Sequence, residues 1–133
     1  MTKPNDGRDK SEEDVSSFLP LPSATLHILA ALRRGERHGY AIMSDVEELS
    51  DGLVSMGPGT LYGSIKRMLA DGLVEEADER PDPALDDQRR RYYRLTGLGA
   101  RVCVAELDRL AALVQRAGGQ GWVAGRSARL REV

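Results

Sequence analysis

Between Ser55 and Leu69 the chain reads SMGPGTLYGSIKRML, three glycines and a proline set ahead of a lysine and an arginine. Glycines beside cations suit phosphate in two ways: as a loop wrapping a nucleotide, or as a helix with a thinned face that approaches a polyanion. The nucleotide loop needs G-x-x-x-x-G-K-[ST], with lysine directly after the second glycine. Here Gly63 is followed by Ser64 and Ile65, and no apolar strand stands upstream. The dinucleotide fingerprint fails too, because Gly57, Gly59 and Gly63 are spaced G-x-G-x-x-x-G. On a helical wheel the segment is orderly. Leu61, Ile65, Met68 and Leu69 form one apolar stripe, and Gly59, Thr60, Gly63, Lys66, Arg67 and Ala70 lie opposite. That outer face combines small side chains, a hydroxyl and two cations. The major groove of DNA admits one such helix, read from its N-terminal residues.

A second cationic cluster lies in RRRYYRLT, with Arg89, Arg90, Arg91 and Arg94 in a chain of net charge -2. Overall charge therefore excludes a uniformly basic protein, and any nucleic-acid role rests on local clustering. An arginine-bearing strand can straddle a phosphate backbone or enter the minor groove. The plain alternative is a charged edge strand that resists aggregation. Asp82, Asp86 and Asp87 would repel phosphate at the tip, so contact is expected nearer the strand. Other chemistries find no set of residues. His27 and His38 have no cysteine or carboxylate at metal-ligand spacing, and structural roles are expected for both. Cys103 falls on an apolar helix face, where packing rather than nucleophilic chemistry is expected. No enzyme activity, metal or cofactor is anticipated.

These residues need elements to position them. The 133 residues suffice for one domain and an accessory helix. Aromatics are only 5%, so the core must be built from Leu, Val, Ile, Ala and Met. Residues 1–17 are polar, without a signal-peptide core, and read as a disordered tail. No run approaches the ~18 apolar residues of a membrane span. A single cysteine fits a reducing compartment, so a cytoplasmic location is expected.

A first helix starts at Pro22–Ser23, with Ser23 as its cap, and closes at Gly35. Ile28, Leu29 and Leu32 share one face while Leu26 points away, so both sides should be covered. YAIMSDVEELSDG gives Met43, Val46 and Leu49 at helical spacing, with Gly52 as the stop. Gly57 and Pro58 open the third helix, and Gly72 ends it. LVEEADE and RRRYYRLT, around the loop RPDPALDDQ, make a hairpin. Thr96 caps a long last helix from Gly97 to Ala117. Its two apolar stripes are Leu98, Val102, Ala105, Leu113 and Cys103, Leu107, Leu110, Val114. One small domain covers one stripe, so a second copy of the chain should meet the other. Gly118, Gly119 and Gly121 then end the helix, leaving 118–133 as a flexible tail with Trp122 on the surface. The predicted fold class is mainly α with a small β-hairpin: a winged helix-turn-helix domain over 18–96 plus a C-terminal dimerisation helix over 97–117.

HGYAIMSDVEE, GPGTLYGSIKRMLADGLVEE and RRRYYRLTGLGARV, in that order, resemble the PadR-like transcriptional regulators. The resemblance runs from about Leu19 to Ala117. It implies a homodimer that binds pseudo-palindromic, double-stranded operator DNA, usually as a repressor, with the C-terminal helix making the dimer. Position by position it makes Gly59, Thr60 and Tyr62 the start of the recognition helix, with Lys66 following. It gives Tyr40 the task of packing the second helix, and Tyr93 that of a hairpin tyrosine reaching the domain or a phosphate. The expected DNA-binding set is Gly59, Thr60, Tyr62, Gly63, Lys66, Arg67, Arg89, Arg90, Arg91 and Tyr93. The expected dimer interface is Leu26, Leu98, Val102, Cys103, Leu107, Leu110 and Val114. One departure is Gly97 to Gly99, where an acidic residue usually follows the threonine, leaving a capping box unmade at a looser helix end. Some members respond to phenolic acids or hydrophobic drugs at the dimer interface; no pattern here identifies an effector. The rival expectation is a winged-helix protein-interaction module, favoured by the net acidity and the wing aspartates.

Overall fold

The computed structural model describes residues 15–78, 80–81 and 89–132. Helix α1 spans Ser23–Leu32, strand β1 Arg37–His38, α2 Gly39–Leu49, and α3 Pro58–Ala70. Strands β2 (Val74–Glu76), β3 (Arg80–Pro81), β4 (Arg89–Arg90) and β5 (Tyr92–Leu95) follow, then α4 over Gly97–Glu132. A three-stranded antiparallel sheet runs in the order β1-β5-β2, and β3 pairs with β4 as a separate ladder. Strand β1 was not anticipated. Two residues carry no readable period, and only pairing with β5 defines them, Arg37 opposite Tyr93 and His38 opposite Tyr92.

The core lies where α1 meets α2, α3 and α4. Ile28, Leu29, Ile42, Val46, Leu61, Ile65, Met68, Leu73 and Val102 are buried there. The sequence places order from residue 18 onward, yet Val15 already packs against this core, its carbonyl accepting the Phe18 N–H at 3.1 Å. Residues 1–14 lie outside the described residues, as do the wing-tip aspartates.

Helix ends follow local chemistry, with two departures from expectation. Ser23 does not cap α1: Pro22 occupies that position without a side-chain bond. Helix α2 is capped by His38, whose Nδ1 accepts the Ala41 N–H at 3.2 Å. At the end of α3, Leu73 N–H bonds Met68 O (2.9 Å) and Gly72 N–H bonds Leu69 O (3.2 Å), with Gly72 at φ +75°. This double bond pattern needs a left-handed residue at that place, which glycine supplies without strain. After α2 both Asp51 (φ 54°) and Gly52 (φ +79°) are left-handed: Asp51 takes the place that Gly72 holds after α3, and the Gly52 N–H bonds Glu47 O at 2.8 Å.

The start of α4 is firmer than the missing acidic residue suggested. Thr96 Oγ1 accepts the Gly99 N–H at 3.0 Å and donates to the Gly72 carbonyl at 2.5 Å, joining the α4 cap to the α3 stop. A Cβ on Gly99 would collide with the Leu73 carbonyl oxygen and stand 2.9 Å from its carbon. The two backbones touch here, and no larger residue fits.

The far end of α4 differs from expectation. The helix continues through Gly118, Gly119 and Gly121 to Glu132. A helical glycine costs only about 1 kcal/mol relative to alanine, so these glycines weaken a helix without forbidding it. Side chains beyond Gly118, Trp122 included, lie outside the described residues.

Candidate nucleic-acid interface

Helix α3 divides as its periodicity requires. Leu61, Ser64, Ile65 and Met68 are buried, whereas Gly59, Thr60, Tyr62, Gly63, Lys66 and Arg67 are all exposed. Gly57 caps the helix with extended backbone and no side-chain bond, and Pro58 is its first residue. The N–H groups of Gly59 and Thr60 stand in the first turn, where a helix has no internal acceptor for them. A Cβ built on Gly59 or Gly63 meets nothing within 4 Å. Tertiary packing therefore does not require glycine at either position.

Tyr62 has a mixed role. Its ring is half exposed, but its hydroxyl rests on Gly39, the first residue of α2. A Cβ on Gly39 would stand 2.8 Å from Tyr62 Cζ. Tyr62 thus ties α3 to α2 through the one residue type that leaves room. At the other end of α2, Ser50 Oγ accepts the Val54 N–H (2.9 Å) and donates to Val46 O (2.9 Å), holding the turn between the helices.

The wing's cations are not equivalent. Arg94 is held by Glu75 (3.0 Å) and Glu36 (3.2 Å), two pairs that keep its guanidinium further above its usual range. Arg91 lies 3.5 Å from Glu76. Arg90 sits over the Tyr40 ring, its Cζ 4.8 Å from the centroid. Arg89 stands in β4 opposite Pro81.

Two assignments change. Tyr93 is 4% exposed within the core, so it packs the domain and offers no surface to a phosphate. Burial pushes its hydroxyl pKa up, only partly offset by the neighbouring Arg91. Tyr92 is buried on the other face of the strand, edge-on to His38 at 5.3 Å. Tyr40, in contrast, does not pack α2 into the fold: it is 57% exposed beneath Arg90.

The proposed interface set along α4 also separates. Val102 and Cys103 are fully buried in the protomer's own core, and burial raises the Cys103 thiol pKa. A wheel cannot show where a long helix leaves its domain, and these two residues precede that point. Leu98 packs against the same core, and Leu26 and Leu110 are half-buried. Leu107, Leu113 and Val114 remain exposed. Sequence reasoning missed Glu106, which is 1% exposed. Its Oε2 accepts the Leu21 N–H at 2.7 Å, and Arg109 Nε donates to Oε1 at 2.5 Å. The Arg109 bond holds the carboxyl below its usual pKa against the opposing effect of burial. A lone glutamate on a helix gives no sequence signal of this partner.

Among the described residues no group of acids, histidines and cysteine could hold a metal ion, and no helix is long and apolar enough to cross a membrane. Residues 28–105 match the family model described as "Transcriptional regulator PadR-like family". The transcriptional regulator Rv3488 of Mycobacterium tuberculosis is 35% identical over 101 residues, covering 75% of this chain and 88% of that protein. The chain belongs to the PadR-like family. An uncharacterized 37.1 kDa protein in a Streptomyces fradiae transposon is 34% identical over 93 residues. This PadR-like chain spans only 24% of that protein's length, and the match covers 70% of this chain. Bacillus subtilis PadR, solved in complex with operator DNA, superposes with a TM-score of 0.55 at 23% identity, covering 65% of this chain and 47% of that one. The PadR-like winged helix fold is therefore shared with that structure, and the chain is a transcriptional regulator of this family.

Proposed function

We propose that this PadR-like regulator is a homodimer that binds double-stranded DNA, with α3 in the major groove and the wing on the phosphate backbone. Gly63 carries the reading. It stands in mid-helix at a cost of roughly 1 kcal/mol against alanine, is exposed, and has open space where a Cβ would be. Packing gives no reason for that cost, whereas close approach of the helix to another surface does. Lys66 and Arg67 flank the thinned face and define that surface as anionic. Exposed Leu107, Leu113 and Val114 on α4 support a second copy as the partner. Two-fold pairing sets two α3 helices on half-sites about 34 Å apart, which is a pseudo-palindromic operator. The family resemblance supports repression as the outcome.

Selection of genomic fragments, followed by a salt titration on the enriched sequence, tests this. We expect one enriched pseudo-palindrome and a steep loss of affinity with salt, because several phosphates are neutralised per dimer. Lys66→Ala and Arg91→Ala should each weaken binding by roughly an order of magnitude while the dimer persists. Unchanged affinity in both variants would show that another face binds. The acidic partners of Arg91 and Arg94 favour a second reading, a winged-helix module that binds protein. Absence of any enriched fragment would support it.

A further inference from the structure

The buried stripe of α4 is short. Gly99, Val102, Cys103 and Glu106 follow one another at i, i+3, i+4 and i+7, the spacing of one helix face. Among the described residues Glu106 is the last buried one on the helix, and residues 107–118 are all exposed or half-buried. The place where an apolar side chain would finish the stripe is thus taken by a carboxylate. Its Oε2 accepts the Leu21 N–H at 2.7 Å, and Arg109 donates to both oxygens, with Nη2 3.2 Å from Oε2. Leu21 precedes Pro22, the cap of α1, whose carbonyl takes the Leu26 N–H at 3.0 Å. The Glu106 bond therefore runs from the point where α4 leaves the domain to the start of α1. A second anchor lies two turns earlier, about 10 Å along the axis, where the Gly99 N–H bonds Thr96 and its backbone abuts Leu73. Two fixed points define the direction of a rod.

We propose that Glu106 is a positioning residue: it fixes the direction in which α4 leaves the domain, and with it the separation of the two α3 helices in the dimer. This role rests on the proposed function, a dimer on DNA. Apolar burial is non-directional and lets a helix slide or turn in its groove. A hydrogen bond to a backbone N–H is directional and does not. Replacing a buried ion pair by well-packed apolar groups is often neutral or stabilising. Stability alone thus gives no reason for glutamate here, whereas a fixed direction does.

The full-length dimer is tested first without DNA. A spin label on Lys66→Cys of each protomer reports the distance between the two α3 helices, because Cys103 is buried and buried thiols are inert. Glu106→Gln keeps an acceptor for the Leu21 N–H, so its distance distribution should match the parent's. Glu106→Met has a similar unbranched shape without that acceptor, and its distribution should broaden or shift. The selected operator gives the second reading, in unlabelled protein, with half-site spacing varied by one and two base pairs. Parent and Glu106→Gln should prefer one spacing, and Glu106→Met should reduce that preference by roughly fivefold, within the range for mutations that alter coupling between sites. Melting temperatures keep the roles apart: Glu106→Gln should melt lower yet hold its spacing, which a purely stabilising residue would not do. Glu106→Leu carries the same test if the methionine variant does not fold. A Glu106→Met dimer with the parent's distances, or with its spacing preference, would overturn the assignment. Absence of a selected operator would count against the DNA reading alone, since the label distances still test Glu106. A monomeric parent would overturn the dimer and this role together.

Discussion

Gly63 and Gly99 are both helical glycines, and their surroundings are opposite. Around Gly63 a methyl group meets open space; at Gly99 it meets the Leu73 carbonyl. Gly63→Ala should therefore raise stability by up to about 1 kcal/mol through helix propensity, while weakening DNA binding by thickening the approaching face. Gly99→Ala should cost about 1–3 kcal/mol, the range for overfilling a packed site, because the obstacle is backbone and cannot rotate away. Thermal melts and binding titrations of the two variants separate the roles. A Gly63→Ala protein with full affinity would remove the main support for α3 as the contact face. The sequence shows both glycines but not this distinction, since neither the Leu73 carbonyl nor the empty space is encoded nearby in the chain.

At the scale of elements, Glu106 ties the segment before α1 to α4 through the Leu21 N–H and is itself held by Arg109. Its folded pKa lies below the unfolded value. The carboxylate therefore contributes stability that is fully present above the ordinary glutamate pKa of about 4.3, and that is lost as pH falls through the lower folded value. Glu106→Gln should flatten the acid limb of the stability curve. It should also destabilise the protein at neutral pH by about 1–3 kcal/mol, since a buried charge-assisted bond is lost. Urea unfolding from pH 7 down to pH 3 measures both effects. Parallel curves for parent and variant would show that another group sets the acid response. Element types were largely legible: α1, α2 and α3, both hairpin strands and the start of α4 carry clear periods or caps. The missed pieces, β1, the His38 cap and the Glu106 tie, exist only through partners distant in sequence or too short to show a pattern.

For the whole molecule, the question is how α4 is completed. Its first turns belong to the protomer's core through Val102 and Cys103, while Leu113 and Val114 further along stand exposed. Leu113→Glu should leave the folded protomer intact, because that position is 50% exposed, and should dissociate the proposed dimer. Sedimentation velocity reads the change in mass, and operator affinity should fall with it as the two half-sites uncouple. A variant that remains dimeric would move the interface elsewhere on the chain. The net charge of -2 adds a constraint at this scale. In the proposed complex DNA is attracted by a local cationic face and repelled by the acidic remainder, and salt screens both. The loss of affinity with salt should therefore be shallower than for a uniformly basic domain making the same phosphate contacts.

The sequence by itself determined the order of elements, the split of α3 into a buried and a thin cationic face, and membership of the PadR-like family. Those properties follow from local periodicity, capping residues and short motifs, which need no partner to be recognised. Tertiary structure decided which arginines are held by acids and which by an aromatic ring, and turned Tyr93 inward and Tyr40 outward. It also drew the line along α4 between core and exposed surface. Each of these depends on what another segment places opposite a side chain, and that distance in space has no counterpart in distance along the chain.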